Sequence, residues 1–301
     1  QQIKSMLATE DIKTHRPTLS VKVNSYQAAM MAIEEGVEKI YLSGEVFQPQ
    51  LPFSVKEIQS LSKNKGNSKL YLGLPTMMYE DDFSRYAHLL RTQNLGIDGI
   101  VVTNLGAIRY FADFGFEMIG DTALNIYNAT AANFYGRFGL SLAGMSNESP
   151  VMNTKDLLQH SALRIEITVH GAPVVMYMSH DLYENTKIVE ASQKADRKYR
   201  DKEVLLLIDD RGQEHPVYRD NKGNNHMVLA KELCYLPLLK ELHHLGAASF
   251  KIEGCNYELE TLRQIINTYQ KAIANLELCD ELVKELNYEN LGSTLGAMQY
   301  N

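Results

Sequence analysis

Only three cysteines occur in the 301 residues, Cys234, Cys255 and Cys279. An odd number of widely spaced thiols does not build a disulfide framework, so a reducing, cytoplasmic setting is expected. No run approaches the roughly 20 apolar residues that a membrane span needs, and the opening Gln1-Gln2-Ile3-Lys4 lacks the apolar core of a secretory signal. No membrane association is expected. Positive charge is scarce as well: 30 Lys and Arg stand against 37 Asp and Glu, a net charge of −7. That balance argues against capture of a polyanion by bulk electrostatics. One short basic run, Arg197, Lys198, Arg200 and Lys202, reads as a solvated loop, with a local basic groove as the alternative. Also missing are a glycine-rich phosphate loop behind the first strand and a G-x-S-x-G nucleophile elbow. Their absence removes the usual sequence support for a dinucleotide-binding sheet and for an α/β-hydrolase. The chain opens on Gln, as an excised domain or fragment would.

What the chain does have is apolar content, 45% of residues, enough for one large core, and a regular alternation of strand and helix patterns. Residues Ile3–Ile12 read as a short amphipathic helix set apart by Pro17. Strands are expected at Leu19–Val23, Glu38–Leu42, Lys69–Leu74, Gly99–Val102, Glu117–Ile119, Leu140–Ala143, Arg164–His170 and Ala248–Glu253. Helices are expected between them: Gln27–Glu35 behind the cap Ser25, a helix opened by Ser54 and Glu57, then Asp81–Gln93, Leu105–Phe114, Thr130–Arg137 and Thr154–His160. Two more follow at Ala230–Leu245 and Leu259–Asn275. Eight strands joined by helical crossovers imply parallel pairing and closure into an α/β fold, a (β/α)8 TIM-type barrel. Residues 1–17 form a lead-in or linker, and residues 18–301 the barrel domain. Within it, residues 172–228 are too long for an ordinary loop and carry a strand-like run, Val204–Ile208, a turn at Asp209 and a second run at His215. They are expected to form a β-rich insertion between the seventh and eighth strands, over the face where active sites of this fold sit.

Polar residues gather at the expected C-terminal strand ends: Asp121, Asn125 and Asn128 after the fifth strand, Glu166 and His170 on the seventh, Lys251 and Glu253 on the eighth. Strand periodicity puts Lys251 and Glu253 on one side of their strand, and likewise Glu166, Thr168 and His170 on one side of theirs, so that inward-facing His170, Glu166, Lys251 and Glu253 can partner one another. These charges need partners, and they serve either as a catalytic constellation or as a buried network bracing the barrel. Ser179-His180-Asp181 holds the letters of a hydrolase triad, but adjacent side chains diverge and cannot line up. The His243-His244 pair reads as a helix C-terminal feature. His215, His226 and Cys234 match no standard zinc spacing.

Two segments, Glu166-Ile-Thr-Val-His-Gly-Ala and Phe250-Lys-Ile-Glu-Gly, joined through a β-rich insertion and Lys231-Glu-Leu-Cys, resemble the peptidase U32 family. The final Gly292-Ser-Thr-Leu-Gly-Ala is similar to that family's ending. The resemblance implies a barrel carrying a [4Fe–4S] cluster on four cysteines, in collagenase-like proteases, prephenate-dependent RNA hydroxylases and ubiquinone hydroxylases. Carried across, Val174, Asp181 and Ala195 stand at three of the four ligand positions. Only Cys234 keeps a thiol, so no cluster is expected here. Cys255 replaces the arginine that follows F-K-I-E-G, and Gly144-Met145 replaces an R-E pair. Asp121 to Asn128 and Glu214 to Asp220 look closer to the second, degenerate barrel of long U32 proteins.

Two functions remain open at this point. The first is a U32-type enzyme acting on a peptide or RNA through His170, Lys251, Glu253 and Glu166, without the cluster. The alternative is a non-catalytic recognition or scaffold barrel partnering a cluster-bearing U32 protein.

Overall fold

The computed structural model describes residues 2–185, 204–286 and 292–300. Ala195 and the basic run at Arg197–Lys202 lie outside the described residues. Seven strands come first: β1 (Thr18–Val23), β2 (Lys39–Leu42), β3 (Lys69–Gly73), β4 (Gly99–Val102), β5 (Glu117–Gly120), β6 (Leu140–Gly144) and β7 (Ile165–Gly171). Five more follow in an excursion, β8 (Val174–Met178), β9 (Leu205–Ile208), β10 (Glu214–Arg219), β11 (Asn225–Val228) and β12 (Glu232–Cys234). The chain then forms β13 (Ser249–Glu253) and β14 (Ser293–Thr294). Strands β1 to β7 are parallel neighbours in order, and β13 pairs in parallel with both β1 and β7. That double pairing closes the eight-stranded barrel.

The helices α1 (Gln2–Leu7), α2 (Tyr26–Glu34), α3 (Val55–Asn64), α4 (Glu80–Thr92), α5 (Leu105–Phe111), α6 (Ala129–Gly136), α7 (Val151–His160), α8 (Leu182–Asn185), α9 (Leu239–Leu245), α10 (Leu259–Ala274) and α11 (Cys279–Glu285) include the crossovers. Their starts follow local chemistry. Ser54 caps α3 while Glu57 reaches back to the Ser54 N–H, the reciprocal capping box expected from the sequence. Ser25, Asn104 and Asn128 accept the third helical N–H of α2, α5 and α6, each worth about 1 kcal/mol.

Alternation along the strands divides the core in two. Tyr41, Tyr71, Val101, Ile119 and Leu142, with Ala248, fill the barrel interior. Leu19, Val21, Ile40, Ile100, Ile167 and Phe250 belong to the larger cluster between strands and helices. Tyr41 and Tyr71 meet edge to face, with ring centroids 5.6 Å apart, a favoured arrangement for aromatic pairs.

Two segments differ from expectation. The helix expected over Ala230–Leu245 is α-helical only from Leu239. Its first part is β12, which pairs antiparallel with the end of β7, Leu233 opposite Gly171 and Cys234 opposite His170. Pro237 then sits in the first turn of a 3-10 segment, Leu236–Leu238, where its missing N–H costs nothing, whereas inside a longer helix it would break the ladder. The lead-in helix ends at Leu7, short of the expected Ile12, and the Lys155 ammonium donates to the carbonyls of Met6 and Ala8 at this end, at 3.1 and 2.7 Å. Leu7 is fully buried and α1 packs on α7 and α9.

The β-rich insertion forms an antiparallel sheet in the order β8-β11-β10-β9. Asp209 organises the β9–β10 turn by accepting the N–H groups of Arg211 and Gln213. The sheet is held to the barrel by Phe47, which stacks on Tyr218 at 4.9 Å and tilts against the buried His226. The Lys222–Asp82 ion pair at 2.5 Å is a second tie.

Candidate functional site at the barrel mouth

The C-terminal ends of the barrel strands open into a cleft of about 290 Å³, lined by β1, the loops after β2, β3, β5, β6 and β13, and strand β8 of the insertion. At its floor four charges meet. Lys251 Nζ lies 2.8 Å from Asp121 Oδ1 and 2.9 Å from Glu253 Oε1. Lys22 Nζ lies 3.4 Å from Asp121 Oδ2 and 3.9 Å from Glu253 Oε2. Two ammonium groups and two carboxylates thus neutralise one another where isolated charges would be expensive to bury. Burial alone would lower both lysines, but Asp121 and Glu253 outweigh it and hold each above the ordinary lysine value. Burial would raise Asp121; the facing Lys22 and Lys251, helped by the Thr122 N–H, hold its carboxyl well below the usual range. Neither lysine is therefore a free amine at neutral pH, and Asp121 is no general acid. The quartet presents fixed donors and acceptors.

Sequence reasoning found Asp121, Lys251 and Glu253 but not Lys22. The signal was available: Ser20 and Lys22 share the inward phase of β1, and a charged residue there needs an acidic partner.

Glu166 also points into the barrel but lies below the quartet. Its carboxylate accepts from Ser20 Oγ at 2.7 Å and Tyr41 OH at 2.8 Å, and it is 2% exposed. It braces the interior away from the cleft. Asn128 is the α6 cap. Asn125 adopts the left-handed backbone region, lines the cleft and accepts from Ser146 Oγ at 2.6 Å.

His170 departs from the expected constellation. The β7–β13 register slips by one residue, so Lys251 faces Thr168 whereas Ile252 faces His170. A bulge of this kind breaks the two-residue period and turns the following side chain to the other face. His170 consequently packs in the helix layer against the rings of Tyr257 and Tyr269, its Nδ1 3.2 Å from Tyr269 OH. Burial there pushes its pKa down to about 4, with Glu232 opposing the shift.

Cys234 shares this layer. Burial raises its thiol, against opposing hydrogen bonds from the Leu236 N–H and Tyr269. Val174 lies on β8 opposite Val228 and offers no donor atom. Asp181 is engaged with Arg219 at 2.5 Å. Together with Cys234, these side chains do not make the thiolate set that a [4Fe–4S] cluster requires. His226 pairs with Asp220 at 3.0 Å and His215 with Asp209 at 3.3 Å. Among the described residues no group of three or more His, Cys, Asp or Glu side chains is arranged to hold a metal ion. His243 Nε2 lies 2.9 Å from the carbonyl of His15. No helix of the described residues is long and apolar enough to cross a membrane.

Above the quartet the cleft is acidic. Glu45, Asp121, Glu148 and Glu253 line it, with Lys22 as the one lining cation among the described residues. Glu45 is fixed by the N–H and hydroxyl of Thr76 at 2.7 and 3.2 Å. Cys255 closes one side, and burial raises its thiol to about 12, so it is no ready thiolate.

Residues 24–294 match the model of peptidase family U32. The chain is 25% identical to a collagenase of Porphyromonas gingivalis over 83% of its own length and 64% of the relative's. To the tRNA hydroxylation protein P2 of Bacillus subtilis it is 24% identical, covering 72% of this chain and 71% of that one. It is 21% identical to the 23S rRNA 5-hydroxycytidine C2501 synthase of Escherichia coli, over 87% of this chain but only 40% of the synthase. A solved U32 peptidase superposes with a TM-score of 0.48 at 11% identity, over 82% of this chain and 97% of its own. The chain belongs to peptidase family U32.

Proposed function

We propose that the barrel-mouth cleft recognises peptide segments and does so without the iron–sulfur cluster implied by the family resemblance. The observation that carries this reading is the floor of the cleft: Lys22, Asp121, Lys251 and Glu253 compensate one another and leave the remaining wall acidic. Such a surface suits amide groups and cationic side chains and repels phosphodiesters. Fixed ion pairs orient a ligand; they do not supply an activated nucleophile. Val174, Asp181 and Cys234 support the absence of the cluster, because they offer a single thiol. His170, Lys251, Glu253 and Glu166 are assigned to bracing and orientation rather than to bond cleavage.

A second reading, an RNA substrate, is favoured by the names of the Bacillus subtilis and Escherichia coli relatives. Fluorescence anisotropy with labelled mixed-sequence peptides and labelled single-stranded RNA, each at low and physiological salt, separates the two. Saturable peptide binding with no RNA binding at physiological salt is expected. RNA binding that outcompetes peptide would overturn the proposal.

A further inference from the structure

The excursion sheet ends on β8, which among the described residues pairs with β11 alone. A strand laddered on one side keeps a row of backbone N–H and C=O groups on the other. No other described backbone or side-chain hydrogen bond occupies those of Val174 to Met178. Protein edges are commonly blunted by lysine, proline or a covering helix. Strand β8 reads Val-Val-Met-Tyr-Met, carries no charge, and exposes Val174 and Met176 by 39% and 48%. It also runs beside the cleft, since Pro173, Val174, Val175, Met176 and Tyr177 are among the lining residues.

We infer that β8 is a docking edge on which an extended polypeptide segment carrying lysine or arginine pairs as an additional strand, its cationic side chain meeting the acidic wall. Charge complementarity selects this occupant. Glu148 is exposed at the cleft rim and forms no ion pair among the described residues, whereas the carboxylates of the floor are already matched. An added strand gains main-chain hydrogen bonds irrespective of sequence, and alternate side chains point toward the cleft. The inference rests on the peptide reading above and adds to it the mode of binding and the charge preference.

The test uses the full chain and terminally blocked heptapeptides of threonine and valine with lysine at the centre, compared with the same peptides bearing central glutamate. A scan of single backbone N-methyl groups along the lysine peptide should weaken binding at alternate positions, by about tenfold each, and leave the intervening positions unaffected. The lysine peptide should also bind about tenfold better than the glutamate peptide, with the preference reduced in Glu148→Gln, an exposed change that leaves the core untouched. Peptide binding that is indifferent to the position of the N-methyl group overturns strand pairing while leaving the peptide reading intact. Equal affinity for the two peptides overturns the charge assignment. If neither peptide binds, both readings fall.

Discussion

Lys251 Nζ and Asp121 Oδ1, 130 residues apart in sequence, meet at 2.8 Å across the barrel mouth, with the lysine side chain 1% exposed. Removing one member of such a pair leaves its partner buried without full compensation, which typically costs about 3 kcal/mol or more. Lys251→Met is expected to lose about that much in urea unfolding. The double change Lys251→Met with Asp121→Asn should recover part of the loss, because it removes the orphaned charge as well. Additive losses would show that the two groups are not energetically coupled.

His170 supplies a pH dependence of definite sign. Its pKa is lowered by burial from an ordinary 6.5 to about 4. Above the ordinary value both folded and unfolded states carry a neutral ring. Between the two values the unfolded chain takes up a proton that the folded chain refuses, so stability falls as pH falls through that window, by roughly 3 kcal/mol in total. Chemical denaturation of His170→Asn over the same range should show a slope shallower by up to about 1.4 kcal/mol per pH unit. A slope identical to that of the parent chain would be incompatible with a neutral buried imidazole.

The thiol inventory makes a spectroscopic prediction. After anaerobic incubation with iron and sulfide followed by desalting, the protein should hold no stoichiometric visible chromophore, and Cys234→Ser should behave as the parent does. One cluster per chain, abolished by Cys234→Ser, would refute the cluster-free proposal.

Gly171 ends β7 at φ +105°, and a Cβ placed there would lie 2.5 Å from the Glu253 carbonyl oxygen. Gly171→Ala should therefore destabilise by about 2 kcal/mol or more, through left-handed strain and the displacement of β13. Thermal unfolding reads this directly. Because the clash falls on the strand end that carries Glu253, peptide affinity should fall as well.

The barrel was legible because each strand–helix unit repeats the same local chemistry: apolar periods, Ser or Asn caps, and stops at Gly36 and Gly246, both at positive φ. Three of the four floor charges were legible because strand ends are where polar residues collect. His170 was placed wrongly because a period-two reading assumes an unbroken ladder, and the slip between Lys251 and Ile252 is decided by tertiary register. The stretch from Ala230 to Leu245 misled for a related reason. Its apolar spacing suits a helix, yet Leu233 and Cys234 gain a strand partner in β7 that lies about 60 residues earlier in sequence. Glu166 had the right phase but the wrong depth, since only the structure reveals that Tyr41 and Ser20 claim it below the mouth.

The pairing of Gly171 with Leu233 ties the departure of the excursion to its return. Strands β8 to β11 hang from a zipped stem, as a side branch hangs from a trunk, with Phe47 and Asp82 as further ties. Lengthening such a branch burdens the barrel through loop closure, about 0.6 kcal/mol for each doubling of length, and exchanging it also forfeits the contacts of Phe47 and Asp82 with Tyr218, His226 and Lys222. Strand β8 is the first element beyond the stem, so a new branch could give the same barrel a different specificity. The trunk is free to stay constant while its crown diversifies.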